Sequence, residues 1–350
     1  MQLPTRGHPL HTRSLTITAT LGPDGAWHAR GDIIDLRKCS FVPMTYDIQP
    51  AGIIHQMNID LRIDPNTRRI ESLDVGQPTV AVEPSEASRG ECCRDPAPRL
   101  QQMVGEKIDS NFPKSLSRVF GGRLGCSHLL TLFQLMGSAL GRALELEAAL
   151  AREVGVARTE GERIFRRAVF LDGFEIDEAL VGVGIQLADF LTRPSAAVMQ
   201  PLERLARQHD ARCYAVIARE TLAIVELSAA TRERTSATLG DASWQRLDDE
   251  VEEFVGTAIM GGLAGKLLRR YGDTPERSGM LDCLLQLAPG YIQVMAALME
   301  KWFKQSSGSG FNMSDADGEP SVAAIGGMAD SCYIWRAAGP MAGLRGTKPE

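Results

Sequence analysis

The chain has 350 residues, enough for about two domains of ordinary size. With 44% hydrophobic residues, a formal net charge of −6 and no basic block, it has a globular composition, and we expect no nucleic-acid and no membrane partner. Seven scattered cysteines, no signal-peptide h-region and no long apolar run predict a cytoplasmic protein with reduced thiols.

Alternating apolar and polar residues predict two hairpins near the N-terminus. Residues 13–21 alternate with the period of a half-buried strand, and Gly22-Pro-Asp-Gly25 has the composition of a turn. A partner strand follows over residues 27–34. Residues 54–64 and 70–75 predict the second hairpin in the same way.

Helices are predicted after this sheet. Residues 83–98 are rich in Pro, Ser, Glu and Arg and predict a loop. Residues 100–120 predict one or two helices interrupted near Pro113, because proline removes a backbone donor. Residues 127–153 carry apolar side chains with helical spacing and predict one long helix.

The same order of features returns after a polar connector at residues 155–163. Arg13 precedes Asp35 by 22 residues, and Arg167 precedes Asp189 by the same 22. Two further pairs of segments match in order and at nearly constant spacing: Met103-Val-Gly-Glu-Lys-Ile108 with Phe254-Val-Gly-Thr-Ala-Ile259, and Leu132-Phe-Gln-Leu135 with Leu284-Leu-Gln-Leu287.

These matches predict an α+β fold made of two tandem, diverged copies of one unit. Each copy is expected to be a small antiparallel sheet covered by helices, and the copies to be related by a pseudo-twofold axis. The predicted units are residues 1–154, residues 155–304, and a flexible linker with an aromatic tail at 305–350. The alternative is two unrelated α+β domains.

The segment Gly125-Cys-Ser-His128 opens the long helix and is the strongest chemical motif. A helix N-terminus favours the thiolate of a cysteine placed there, so we expect the pKa of Cys126 to be lowered. The corresponding second-copy segment, Glu276-Arg-Ser-Gly279, has neither thiol nor imidazole. The motif therefore predicts one site, in the first copy, with Cys126 and His128 as catalytic residues. In the structural alternative, Ser127 caps the helix and Cys126 packs in the core.

A metal site is the second chemical prediction. Thiolate and imidazole ligands suit zinc or iron, so the predicted ligands are Cys126, His128, Cys93 (or its neighbour Cys92) and His55. The alternatives are incidental loop cysteines and a hydrogen-bonded core histidine. Asp35 and Asp189 recur in both copies, which favours a structural role for them.

The tail combines aromatic residues with a cysteine. Residues 305–327 predict a flexible linker, but Asp330-Ser-Cys-Tyr-Ile-Trp-Arg336 has an apolar cluster that is unusual in a disordered end. We therefore expect this segment to dock near the first-copy site as a lid. The alternative is a surface groove elsewhere or a neighbouring subunit.

Residues 3–145 resemble a bacterial family of uncharacterised proteins. The resemblance rests most specifically on Gly125-Cys-Ser-His-Leu129, where the family usually has Thr in place of Ser127. It implies no reaction. The further segments that carry it are His11-Thr-Arg13, Asp32-Ile-Ile-Asp35, His55-Gln-Met57 and, near the end, Cys332-Tyr-Ile-Trp-Arg336.

The order of features in the first copy also resembles iron–sulfur scaffold proteins of the NifU type. Those have strands, then a loop cysteine, then helices and a second cysteine at a turn, as Cys92 or Cys93 and Cys126 are arranged here. The scaffold's last turn reads His-Cys, whereas here Cys126 precedes His128. This resemblance implies a metal or sulfur carrier.

Three functions follow from these features. The preferred one is a small-molecule enzyme that uses Cys126 and His128, either as nucleophile and base or as metal ligands. The others are a metal or sulfur carrier and a non-catalytic binding module. A deep pocket between the copies would favour the enzyme, and an exposed cluster would favour the carrier. The sequence leaves the substrate and the oligomeric state open.

Overall fold

The fold was analysed in a computed structural model that describes residues 6–44, 47–299, 301 and 329–345. Eleven strands run through these residues. Their bounds are β1 His8–Leu21, β2 Trp27–Arg37, β3 Val42–Met44, β4 Asp47–Gln49, β5 Gly52–Asp64, β6 Arg69–Thr79, β7 Arg163–Glu175, β8 Leu180–Thr192, β9 Leu205–Ala218, β10 Ile224–Arg234 and β11 Gln245–Arg246. The α-helices are α1 Phe112–Phe120, α2 Ser127–Val154, α3 Asp248–Val251, α4 Leu263–Tyr271, α5 Ser278–Leu285 and α6 Leu287–Ala296.

Nine strands form one antiparallel sheet in the order β11-β10-β9-β8-β7-β1-β2-β5-β6, and β3 pairs with β4 separately. The prediction of two small sheets is therefore wrong, although the α+β class with antiparallel strands and helices is correct. The two halves merge because β1 pairs with β7 along nearly its whole length. Without this pairing, both strands would expose unpaired backbone groups at an edge.

The helices pack on the sheet, and along β1, β2 and β5 one phase of each strand is buried. Leu15 and Ile17 of β1 are fully buried, whereas the intervening Thr16 is only partly buried. Helix α2 contacts β1, β2, β5 and β7, and α5 and α6 contact β7 to β10 and β1. The site described below lies within this buried phase. None of the described helices is both long enough and apolar enough to cross a membrane.

Several local predictions are confirmed. Both hairpins form, and the long helix spans Ser127–Val154. The predicted interruption near Pro113 lies just before that residue: a 3₁₀ helix covers Ala97–Met103, and α1 begins at Phe112 with Pro113 in its first turn. Proline is tolerated there because the first backbone N–H groups of a helix have no intrahelical acceptor.

The two halves share a pattern of backbone hydrogen bonds at the start of their last long strand, which is β6 in the first half and β10 in the second. In both, two amides that follow a short 3₁₀ segment donate to carbonyls in or just before that strand, and the first amide belongs to a glycine with positive φ. These bonds are Gly105 N–H to Ile70 O and Ile108 N–H to Arg68 O, and Gly256 N–H to Ile224 O and Ile259 N–H to Leu222 O. The division at residue 154 stays a prediction, and the linker at 305–327 lies outside the described residues.

Candidate functional site

Asp35 lies at the centre of a buried polar cluster on β1, β2 and β5. Sheet register places Arg13, Asp35 and His55 side by side on the three strands. Arg13 donates from Nε to Oδ1 at 2.7 Å and from a terminal nitrogen to Oδ2 at 2.9 Å. His11 Nε2 lies 2.9 Å from Oδ1, and His55 Nδ1 lies 3.1 Å from Oδ2. The carboxylate thus has four hydrogen bonds to three residues, two on each oxygen.

Electrostatics fix the charge state of this cluster. Burial alone would raise the pKa of Asp35, but the Arg13 guanidinium and hydrogen bonds from His11 and His55 hold it well below its usual range. Burial lowers the pKa of His11, although its hydrogen bond to Asp35 opposes the shift. The cluster therefore holds one carboxylate and one guanidinium, which compensate each other, and a neutral His11.

The start of α2 brings His128 against this cluster. The His128 ring lies 3.7 Å from the His55 ring, centroid to centroid, and its Nε2 is 3.5 Å from Asp35 Oδ2. On the other side, Nε2 is 3.2 Å from the Gln293 side-chain nitrogen of α6. Burial lowers the pKa of His128 well below its usual value, so the imidazole is neutral. Asp35, His55 and His128 each offer one metal-ligating atom within 4.8 Å of the others.

Cys126 is the N-cap residue of α2, so Ser127 does not cap the helix, but Cys126 does pack in the hydrophobic core as that alternative expected. The Cys126 Sγ lies 4.0 Å from His128 Nδ1, at the outer limit of a hydrogen bond to sulfur. The expected lowering of the thiol pKa is wrong. Burial raises the pKa of Cys126 to about 11, although the amides of Leu129 and His128 oppose the shift. Desolvation of a thiolate outweighs the helix N-terminus here.

A cavity of about 220 Å³ adjoins these side chains. All four residues predicted as metal ligands line it: His55, Cys93, Cys126 and His128. Burial raises the pKa of the Cys93 thiol well above its usual value, as do the nearby thiols of Cys126 and Cys332. The neighbouring Cys92 instead places its Sγ 3.1 Å from an Asp95 oxygen. The structure thus selects Cys93 over Cys92 as a cavity residue, and metal ligation stays a prediction.

The tail docks on this cavity, as the sequence predicted. The Tyr333 N–H donates to Gly125 O at 2.8 Å, next to Cys126, and Arg336 forms an ion pair with Glu91. Ile334 packs with Val82 in a small apolar cluster. Residues 331–335 form part of the cavity wall. The function of the tail as a lid stays a prediction.

Sequence reasoning missed part of the polar cluster. It treated Asp35 as structural, and it did not give Arg13, His11 or Gln293 a role in the site. One signal was present: His11 and Arg13 share the alternating phase of Leu15 and the other core residues of β1. A charged residue in the buried phase of a strand requires a partner, because an unpaired buried charge is unfavourable.

The second half has a related cluster without the second imidazole. Arg167 contacts Asp189 through two nitrogens, and His209 lies beside Asp189 in the sheet register. Gly279 lies against His209, so a Cβ added to Gly279 would come within 2.3 Å of the His209 Nε2. In the first half, His128 stacks on His55, whereas in the second half the glycine at position 279 lies against His209.

Comparisons with known proteins give one match. No curated protein and no solved structure matches the chain significantly, and no similarity to NifU-type scaffold proteins is found. The expected resemblance to an uncharacterised family is supported over nearly the predicted range. Residues 11–141, which contain Arg13, Asp35, His55, Cys126 and His128, match a family described as "Protein of unknown function (DUF2889)".

Proposed function

We propose that this chain is a small-molecule enzyme whose reaction takes place in the cavity beneath the tail, at a zinc or iron ion held by His55, His128 and Cys126. The observation that carries this proposal is the proximity of two imidazoles and a thiol at one wall of the cavity. His128 Nδ1 lies 4.0 Å from Cys126 Sγ, and the His55 ring stacks on the His128 ring.

One pair of the proposed ligands, His128 and Cys126, has a spacing that suits such an ion, although the ligating atoms that all lie within 4.8 Å of one another belong to Asp35, His55 and His128 and not to Cys126. Metal–nitrogen distances of about 2.1 Å and metal–sulfur distances of about 2.3 Å in a tetrahedral site bring N and S to roughly 3.6 Å from each other. The 4.0 Å between His128 Nδ1 and Cys126 Sγ needs only a small adjustment. Neutral imidazoles are the ligating form, and the pKa of His128 is lowered by burial. A bound ion would polarise a substrate oxygen or activate water.

Asp35 fits a supporting role better than direct ligation. Both of its oxygens already accept two hydrogen bonds, and the Arg13 cation beside it would repel a metal ion. Because His55 Nδ1 contacts Asp35, the Nε2 atom of the His55 ring is the nitrogen that remains for a metal ion. This carboxylate–histidine arrangement is typical of residues that orient metal ligands.

Three ligands would leave a coordination position open, as catalytic zinc sites do. Cys93 is the fourth candidate ligand, and its ligation would give a closed, structural site. A metal-free reaction with Cys126 as nucleophile has less support, because burial raises the pKa of its thiol to about 11. A metal ion removes this obstacle, since it displaces the thiol proton on binding.

We also infer that the two halves are diverged copies related by a pseudo-twofold axis between β1 and β7, and that only the first retains the site. The inference is supported by equal registers: Arg13, Asp35 and His55 occupy neighbouring positions on β1, β2 and β5, as Arg167, Asp189 and His209 do on β7, β8 and β9. The second copy would then contribute cavity wall, including Gln293 and Ile292 of α6.

The burial of the proposed ligands favours an enzyme over a carrier. Transfer to a partner protein requires an accessible ligand cluster, whereas here Cys126 is 6% exposed and the tail packs over the motif. A non-catalytic binding module would use the same cavity. An enzyme should convert a bound small molecule to a product, lose this activity when a chelator removes the metal, and regain it when the metal is restored. A binding module should show no conversion.

Metal analysis of the purified full-length protein tests the proposal. We expect about one zinc or iron ion per chain, and its loss in Cys126→Ala and His128→Ala. Cys213→Ala is the matched control, because Cys213 is a buried thiol of β9 outside the cavity lining. A wild-type protein without stoichiometric metal, or a Cys126→Ala variant that retains it fully, would rule the metal site out.

A further inference from the structure

A buried arginine that has no acidic partner among the described side chains lines the same cavity. Arg37 lies near the end of β2 with only 3% of its surface exposed, and it belongs to the cavity wall together with Gln49 and Ile54. Its terminal nitrogens donate to Gln49, at 3.0 Å to the carbonyl oxygen and 2.9 Å to Oε1. Its Nε has no hydrogen-bond partner within the described part of the chain.

The other deeply buried arginines differ from Arg37 in this respect. Arg13 contacts both oxygens of Asp35, Arg167 contacts both oxygens of Asp189, and Arg158 contacts both oxygens of Glu147. Burial lowers the pKa of Arg37 to about 10, although Cys39 and Asp35 oppose the shift. Because the Asp35 oxygens are taken up by Arg13 and two histidines, no carboxylate among the described side chains compensates the positive charge of Arg37.

The fold does not require an arginine at this position. Arg37 lies opposite His11 in the pairing of β1 with β2, and Leu191 lies opposite Phe165 at the corresponding position of β7 and β8. Leu191 is a buried core residue. An apolar side chain therefore satisfies the packing there, and a buried charge that is unfavourable for stability is best explained by a ligand.

We propose that the cavity binds an organic monocarboxylate, with Arg37 as the anchor for its carboxylate and the apolar walls around its body. Arg13 also lines the cavity, but Asp35 neutralises it, so Arg37 is the side chain left to pair with the carboxylate of a ligand. Apolar surfaces of the cavity wall come from Val42, Ile54, Val82, Ile334 and Trp335.

This inference rests on the proposed function in one respect: it names the substrate class for the same cavity. The ligand would extend from Arg37 towards Cys126 and His128, which line the same cavity. Binding of a carboxylate does not depend on catalysis, so the two proposals can fail separately. Metal content reports on the first, and anion preference reports on the second.

Calorimetric titration of the full-length protein tests the anchor, with benzoate and hexanoate compared with benzamide and hexanamide. The neutral amides match the acids in shape. We expect the carboxylates to bind about 10- to 100-fold more tightly, as for a hydrogen bond to a charged group. Arg37→Leu should abolish this preference and keep the metal content, and Arg37→Lys should retain part of it.

Arg37→Gln provides a second neutral variant if Arg37→Leu does not fold. Equal affinity for acids and amides in the wild type, a preference that survives in the neutral variants, or no binding of any of the four probes would overturn the proposal. Tighter binding of inorganic phosphate than of either carboxylate would also overturn it. A protein that prefers carboxylates but contains no metal would contradict the proposed function and leave the carboxylate site supported.

Discussion

At the residue scale, the molecule depends on buried ion pairs whose partners lie on neighbouring strands. Arg13 has one carboxylate partner, Asp35, whereas Arg167 has two, Asp189 and Asp282. Removing one member of a buried pair leaves an uncompensated charge, which typically costs about 3–5 kcal/mol of stability. The two halves should therefore respond differently to the same substitution.

We predict that Asp35→Asn lowers the free energy of unfolding by about 3–5 kcal/mol. Asp189→Asn should cost about 1–3 kcal/mol, because Arg167 keeps the carboxylate of Asp282. Urea unfolding followed by circular dichroism measures both values. Equal costs for the two variants would contradict this account of the buried charges.

The sequence predicted some of these residues and not others. Cys126, His128, His55 and Cys93 follow from the chemistry of thiols and imidazoles, and all four line one cavity. The partners of Asp35 depend on which strands are neighbours, which one sequence does not specify. The raised pKa of Cys126 was missed because the burial of a helix N-terminus depends on what packs over it.

At the scale of elements, helices and sheet approach each other closely at particular glycines. Gly173 of β7 faces Val294 of α6, and a Cβ added at Gly173 would come within 1.9 Å of a Val294 methyl carbon. A bulkier residue there must push α6 away from the sheet. Because α6 carries Gln293 next to His128, such a displacement would also disturb the site.

Gly173→Ala should therefore lower stability by about 1–3 kcal/mol, as overpacking in a core does. Gly240→Ala is the matched control, since no atom lies within 4 Å of its added Cβ and its φ is not positive. We expect the control to stay within about 0.5 kcal/mol of the wild type in thermal or urea unfolding. If both variants unfold alike, α6 does not pack on β7 as described.

Most elements could be predicted from the sequence, because alternation and helical spacing are local signals. The hairpins of the first half and the helix Ser127–Val154 agree with those signals. The pairing of β1 with β7 could not be predicted, since it joins strands more than 140 residues apart by backbone bonds that carry no sequence motif. For this reason, the structure has one large sheet where two small sheets were expected.

At the scale of the whole molecule, the tail connects the end of the chain to the first-half site. Ile334 and Met341 are almost fully buried, and Tyr333 bonds to the backbone beside Cys126. Composition predicted this docking, because an apolar cluster gains free energy when it leaves water. The place of docking follows from the shape of the cavity, which the sequence alone does not show.

Truncation after Gln305 should lower the free energy of unfolding by roughly 1–3 kcal/mol. The free energy gained by burying the apolar side chains of the tail exceeds the entropic cost of ordering it by only a small margin. It should also reduce metal retention, because the cavity loses the wall formed by residues 331–335. A chain that ends at Arg345 is the control, since it keeps the docked segment. Unchanged stability and metal retention after the longer truncation would exclude a lid.

The ligand sphere of the bound metal tests the central claim most directly. X-ray absorption spectroscopy on the purified full-length protein should show sulfur at about 2.3 Å and nitrogen at about 2.0–2.1 Å, as expected for Cys126 with His55 and His128. The metal and its sulfur contribution should both be lost in Cys126→Ala and both persist in Cys213→Ala. A sphere of oxygen and nitrogen alone, or a protein without bound metal, would contradict the account.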